Sequence, residues 1–83
     1  MIYRCYTVRD LKARAYAPPF FIARDEVAIR TFSDALAEPG HPMAAHPADY
    51  ELFHVGEFDD ETGAFTPIQP RFLTNGNGEP ING

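Results

Sequence analysis

The sequence predicts an α+β domain, a small antiparallel sheet of about three strands with one helix packed on one face, in the order β-(loop)-α-β-β. Three observations lead there. Residues 2–8, IYRCYTV, alternate and are rich in β-branched and aromatic side chains. Residues 25–37, DEVAIRTFSDALA, place apolar side chains at helical spacing. Residues 50–58, YELFHVGEF, and 64–69, AFTPIQ, are two strand-like runs joined by an Asp- and Gly-containing turn.

In the first strand Ile2, Arg4, Tyr6 and Val8 share one side, and Tyr3, Cys5 and Thr7 the other. Either side suits the interior. Arg9-Asp10 marks a turn. Leu11 to Tyr16 reads equally as a helical turn or a short strand, and Phe20-Phe21-Ile22 as a strand or a packed loop. Between them Pro18-Pro19 ends any helix, because a residue before proline is driven to extended geometry. The helix then starts with Asp25 as N-cap and Glu26 near the positive end of the dipole. Ala28, Ile29, Phe32, Ala35 and Leu36 form its apolar stripe, and Glu38-Pro39-Gly40 stops it. Residues 38–49, with Pro39, Pro42 and Pro47, leave no room for a regular element, and His46 to Asp49 open a turn into the next strand.

The strand at 50–58 has apolar residues on both faces: Tyr50, Leu52, His54, Gly56 and Phe58 against Glu51, Phe53, Val55 and Glu57. It is therefore central, or it packs under the helix and against a partner, and Gly56 marks a bulge or a close neighbour. Pro67 donates no hydrogen bond, which places the strand at 64–69 on an edge. Residues 1–73 read as one domain and residues 74–83, TNGNGEPING, as a mobile tail.

A chain of 83 residues buries only about 60% of its unfolded surface, so self-association, most simply as a dimer, is an expected source of stability. There is no apolar run long enough to span a membrane and no signal-like start. Cys5, the single cysteine, excludes an internal disulfide and a four-cysteine zinc site, and a small buried thiol is its default. These features fit a cytoplasmic setting. The net charge of −5 argues against a simple nucleic-acid coat, but it is unevenly spread. Residues 1–30 carry +3, and residues 31–83, with Arg71 against nine acids, carry −8. Such a split marks an interaction surface, or else charges that fell on solvated faces.

The densest acidic cluster, Glu57, Asp59, Asp60 and Glu61, reads as a hairpin turn. Asp caps backbone N–H groups and Gly63 takes a positive φ. A calcium loop would need a bidentate Glu further on, and Ala64 to Ile68 offer no carboxylate. His41, His46 and His54 lack metal-ligand spacing, and no glycine-rich phosphate loop is present. No catalytic, cofactor or metal residue is assigned, and an enzyme is not expected. The first half interleaves cations with rings, which suits single-stranded nucleic acid, where cations track phosphates and rings stack on bases. The competing reading is that those rings are core.

Three blocks carry a resemblance. They are "D..A.AY..PFF" (Asp10, Ala13, Ala15, Tyr16, Pro19, Phe20, Phe21), "AIR.F.DA" (Ala28, Ile29, Arg30, Phe32, Asp34, Ala35) preceded by Arg24-Asp25, and "HP.DY.LF.VGEFDD.TG" over residues 46–63. With these the chain resembles the small nonstructural proteins of the gokushovirus branch of the Microviridae, phages with circular single-stranded DNA genomes. The resemblance implies a DNA-associated role in genome replication or packaging inside the bacterial host cytoplasm, and it brings no catalytic residue with it. The resulting expectation is a dimeric domain that binds single-stranded DNA. Arg4, Arg9, Lys12, Arg14 and Arg24 would contact phosphates, and Tyr6, Tyr16 and Phe20 would stack on bases. The alternative is a protein-only adaptor that contacts the replication initiator or capsid proteins.

Overall fold

The computed structural model describes residues 1–77. It contains β1 (Ile2–Asp10), β2 (Ala15–Tyr16), β3 (Phe20–Ile22), α1 (Asp25–Ala37), one turn of 3-10 helix (Pro47–Asp49), β4 (Tyr50–Asp59) and β5 (Phe65–Asn75). All five strands belong to one antiparallel sheet. β1 and β4 run side by side at its centre and β5 forms one edge. β2 and β3 share the remaining edge of β1, β2 at its C-terminal end and β3 near its start.

The expected α+β class with about three strands is therefore corrected to a small β-rich fold with, among the described residues, five strands and a single α-helix. Two physical features hid the additional strands. β2 and β3 are 2 and 3 residues long, too short to display a period, and Pro18-Pro19 separates them. β5 runs past the expected end at residue 69 because Pro67 and Pro70 sit on an edge, where a missing N–H leaves no ladder bond unmade. Irregularities in the β4–β5 register absorb the extra residues. The tail expected from residue 74 instead begins as strand, with Thr74 and Asn75 inside β5 and the Gly76 N–H donating to the Tyr50 carbonyl at 3.0 Å. The remainder of that expectation, residues 78–83, lies outside the described residues.

The helix bounds and its apolar stripe agree with the periodicity. Ala28 and Phe32 are buried against Tyr6, Leu52 and Leu73, with Ile29 and Leu36 at the margin. The cap differs: Arg24 occupies the N-cap without a side-chain capping bond, and Asp25 is the first helical residue. Its carboxylate is engaged elsewhere.

A bulge in β4 decides which side chains share a face. Tyr6 pairs with His54, yet Cys5 pairs with Gly56, so Val55 is the inserted residue. One extra residue inverts the alternation beyond it. Glu57 thereby joins His54 under the helix, its Oε2 lying 3.4 Å from His54 Nε2. Gly56 and Phe58 join Phe53 on the opposite face. Gly56 lacks a side chain because the Phe65 ring lies over it: a Cβ there would stand 2.5 Å from Phe65 Cζ.

Candidate functional site

Among the described residues the helix covers one face of the sheet and no second layer covers the other, where only Phe65 and the segment between β2 and β3 shield Cys5, Thr7 and Gly56. The two faces carry different chemistry.

Under the start of α1 lies a charged network. Asp25 Oδ1 accepts a hydrogen bond from Tyr6 Oη at 2.6 Å and faces Arg4 Nη1 at 2.8 Å. Asp25 Oδ2 accepts from Arg71 Nη2 at 2.8 Å. Arg71 Nε also donates to His54 Nδ1 at 3.2 Å. Arginine cannot accept, so the imidazole proton sits on Nε2, which donates to the Gly56 carbonyl at 3.1 Å. Burial by itself would raise the Asp25 pKa, but the bonds from Tyr6, Arg71 and Arg4 outweigh it and hold the carboxyl well below the usual carboxylate range. Burial, and then the bond to Asp25, push the Tyr6 phenol far above its ordinary value. Every strong donor and acceptor here has a partner, which marks the network as a clamp tying α1 to β1, β4 and β5.

The helix-free face carries aromatic rings. Tyr16, Phe53 and Phe72 form a row across β2, β4 and β5, with successive centroids 5.8 Å apart in edge-to-face contact. Near the other end Phe21 meets Phe58 edge to face at 5.7 Å. Between them Cys5, Thr7 and Val55 line a trough of about 350 Å³. Tyr16, Phe21 and Phe65 are each close to half exposed, a large solvated aromatic surface for a chain this small. Arg9 lies at the end of the row, its guanidinium 5.6 Å from the Tyr16 centroid. Arg9 Nε is buried and has no hydrogen-bond partner among the described residues. Beyond it the turn between β1 and β2 exposes Lys12 and Arg14, and Asp10 Oδ1 accepts the backbone N–H groups of Lys12 and Ala13.

The eight residues expected to contact nucleic acid thus divide. Arg9, Lys12, Arg14 and Tyr16 gather at one end of the open face. Arg4 turns under the helix to Asp25, and Arg24 faces Glu26 at 3.2 Å at the helix start. Tyr6 is 0% exposed and its ring stacks on half-buried Phe20 at 5.9 Å, so neither presents a free face for a base. Phe53, Phe58 and Phe72, which complete the aromatic surface, were not anticipated. For Phe53 and Phe72 the available signal was side-chain parity on paired strands, whereas Phe58 reaches the face only because of the Val55 bulge. Arg71 was likewise missed as the second cation on Asp25, since a lone arginine just after Pro70 carries no local pattern.

Arg14 adopts φ +56°, in the left-handed region that costs a non-glycine residue roughly 1–2 kcal/mol. Glycine would relieve that strain and lose some of the gain to its greater freedom when unfolded. Arg14→Gly is expected to raise stability by about 0.5–1 kcal/mol, read from urea unfolding midpoints. An unchanged or lowered midpoint would show that the turn is not strained in solution.

At the opposite end, the turn between β4 and β5 is a hairpin turn as its residues indicate. Gly63 has φ +75°, its N–H donates to the Asp59 carbonyl at 2.8 Å, and Asp59 Oδ1 accepts from the Glu61 N–H. The carboxylates of Asp59, Asp60 and Glu61 cluster there, and the Met1 amine binds Asp60 at 2.7 Å and Glu61 at 3.3 Å. Among the described residues no helix is long and apolar enough to cross a membrane.

Comparison with known proteins supplies the setting. No solved structure matches the chain. A family model described as Phage ORF5 protein matches residues 3–78. Protein ORF5 of Chlamydia phage 1, a gokushovirus of the Microviridae, is 32% identical over 73 residues, covering 83% of this chain and 76% of that protein. The match spans both central strands, the helix and both faces of the sheet, and the chain accordingly belongs to the Phage ORF5 protein family of these phages.

Proposed function

We propose that the protein binds single-stranded DNA on the helix-free face and acts in replication or packaging of the phage genome. The observation that carries this reading is the row Tyr16–Phe53–Phe72 ending at Arg9, Lys12 and Arg14. Aromatic rings on an open sheet offer bases a stacking surface that does not depend on sequence, and cations at its end meet phosphates. No chemistry on the DNA is part of the proposal.

The test is binding of a fluorescent oligothymidine at several salt concentrations. Affinity is expected to fall as salt rises, because phosphate contacts release counterions. Phe53→Ala should weaken binding roughly 5- to 100-fold, the range of one base–ring stack. Absence of binding at low salt, or binding indifferent to salt, would overturn the proposal. The net charge of −5 and the acidic hairpin favour a second reading, an adaptor for a basic replication or capsid protein. Capture of such a partner by protein without DNA affinity would select it.

A further inference from the structure

We infer that the helix-free face also takes a second copy of this chain, packed face to face with its strands antiparallel to those of the first, and that this pairing competes with DNA. Three observations carry the self-association.

The first is composition. Between the Arg9–Glu51 pair at one end and the acidic hairpin at the other, the face presents Tyr3, Phe53, Val55 and Phe58 over buried Cys5 and Thr7, without a charge. Uncharged centres rich in aromatics are what protein interfaces bury. A sheet with one face bare closes its second layer by stacking on another sheet about 10 Å away, with strand directions within about 30°.

The second is area. Four rows of strand at about 4.8 Å, over about eight residues at 3.3 Å, give roughly 500 Å² per copy in projection. The total of about 1,000 Å² lies at the lower limit for a specific interface, so the dimer should be weak and concentration-dependent.

The third is charge, which selects the orientation. The exposed cations Lys12 and Arg14 lie at the turn after β1, while Asp59, Asp60 and Glu61 lie beside the start of β1. The nine residues of β1 separate these ends by roughly 25–30 Å, beyond the screening length in physiological salt. A two-fold axis along the strands would set like charge over like. An axis across them sets each Lys12/Arg14 turn against the partner's acidic hairpin, whose charge the Met1 amine only partly offsets. In that arrangement the hairpin carboxylates occupy the place that phosphates take in the DNA-bound form. The competition, unlike the self-association, rests on the DNA reading above.

Sedimentation analysis over a concentration series, at low and high salt, tests this on the full chain. The unaltered protein should show a reversible monomer–dimer equilibrium that weakens with salt. Lys12→Glu with Arg14→Glu, and separately Asp60→Lys with Glu61→Lys, should each weaken it at least tenfold, and the four changes together should restore it. Phe58→Lys, its fold checked by circular dichroism, should leave only monomer. Oligothymidine added to the unaltered protein should convert dimer to DNA-bound monomer. Monomer at every concentration, no restoration in the fourfold variant, or a dimer indifferent to Phe58→Lys would overturn the self-association. A dimer that binds oligothymidine without dissociating would overturn the competition. A dimer with no DNA affinity would overturn the DNA reading and leave the self-association standing.

Discussion

Replacing Asp25 by alanine is expected to cost the fold about 2–4 kcal/mol. Breaking a buried charge network by removing one partner costs roughly 3–5 kcal/mol, and the figure is reduced here because Asp25 is 22% exposed and its arginines lie nearer to water. The loss is large because a single carboxylate anchors three donors. Without it the Tyr6 hydroxyl is left in the core, and Arg4 and Arg71 face each other across an empty space. Asp25→Asn keeps the shape, removes the charge, and should cost less. The same network predicts a pH dependence. The folded Asp25 carboxyl titrates below its unfolded counterpart, which lies near 3.9. Its contribution is therefore fully present above about pH 4 and is lost as the pH falls toward the lower folded value. Urea unfolding of the unaltered protein should show stability declining below about pH 4, and Asp25→Asn should flatten that part of the decline. A loss under about 1 kcal/mol for Asp25→Ala, or an unaltered acid slope in the asparagine variant, would show that the network holds little.

The other large effect is expected at Gly76. A Cβ there would run into the carbonyl oxygen of Pro47, and the obstacle is backbone rather than a side chain that can swing away. Gly76→Ala must displace either the end of β5 or the 3-10 turn before β4, breaking the Gly76 N–H bond to Tyr50. Forcing an extra methyl into a packed site costs about 1–3 kcal/mol, and the lost bond adds about 1. A lowered urea midpoint is expected, with faster amide exchange at Gly76 than in the centre of β4. The comparison substitution is Gly63→Ala, where a Cβ meets open space and only the positive φ opposes it. Equal costs at the two positions would show that backbone contact at Gly76 is not the cause.

These two positions show where reading residues in order fails. Asp25 has the identity and location of an N-cap, and by local rules it is one. It caps nothing because two arginines and a tyrosine, brought from β1 and β5, outcompete the helix N–H groups for its oxygens. Gly76 falls in a run of Asn and Gly that reads as tail, yet it lacks a side chain because another stretch of backbone passes against it.

The sequence by itself determined the features whose causes lie within a few residues. The period of residues 25–37 places the helix and its apolar stripe, because that stripe repeats at the pitch of the backbone. The acidic hairpin follows from Asp59 and Gly63, which satisfy their own turn. Pro67 assigns β5 to an edge, since a missing N–H is harmless only there. The family blocks likewise stand in linear order. Tertiary structure alone decided how many strands the sheet has, because β2 and β3 exist only as partners of β1 and are too short to announce themselves. It also decided which rings are core and which are surface. Tyr6 and Tyr16 look alike in the sequence, but one lies under the helix and the other on the open face. The Val55 bulge, one residue in a ladder whose alternation is exact, moved Glu57 inward and Phe58 outward. Which side of a strand faces the core depends on register with a distant partner, and a residue's neighbours in the chain do not encode it.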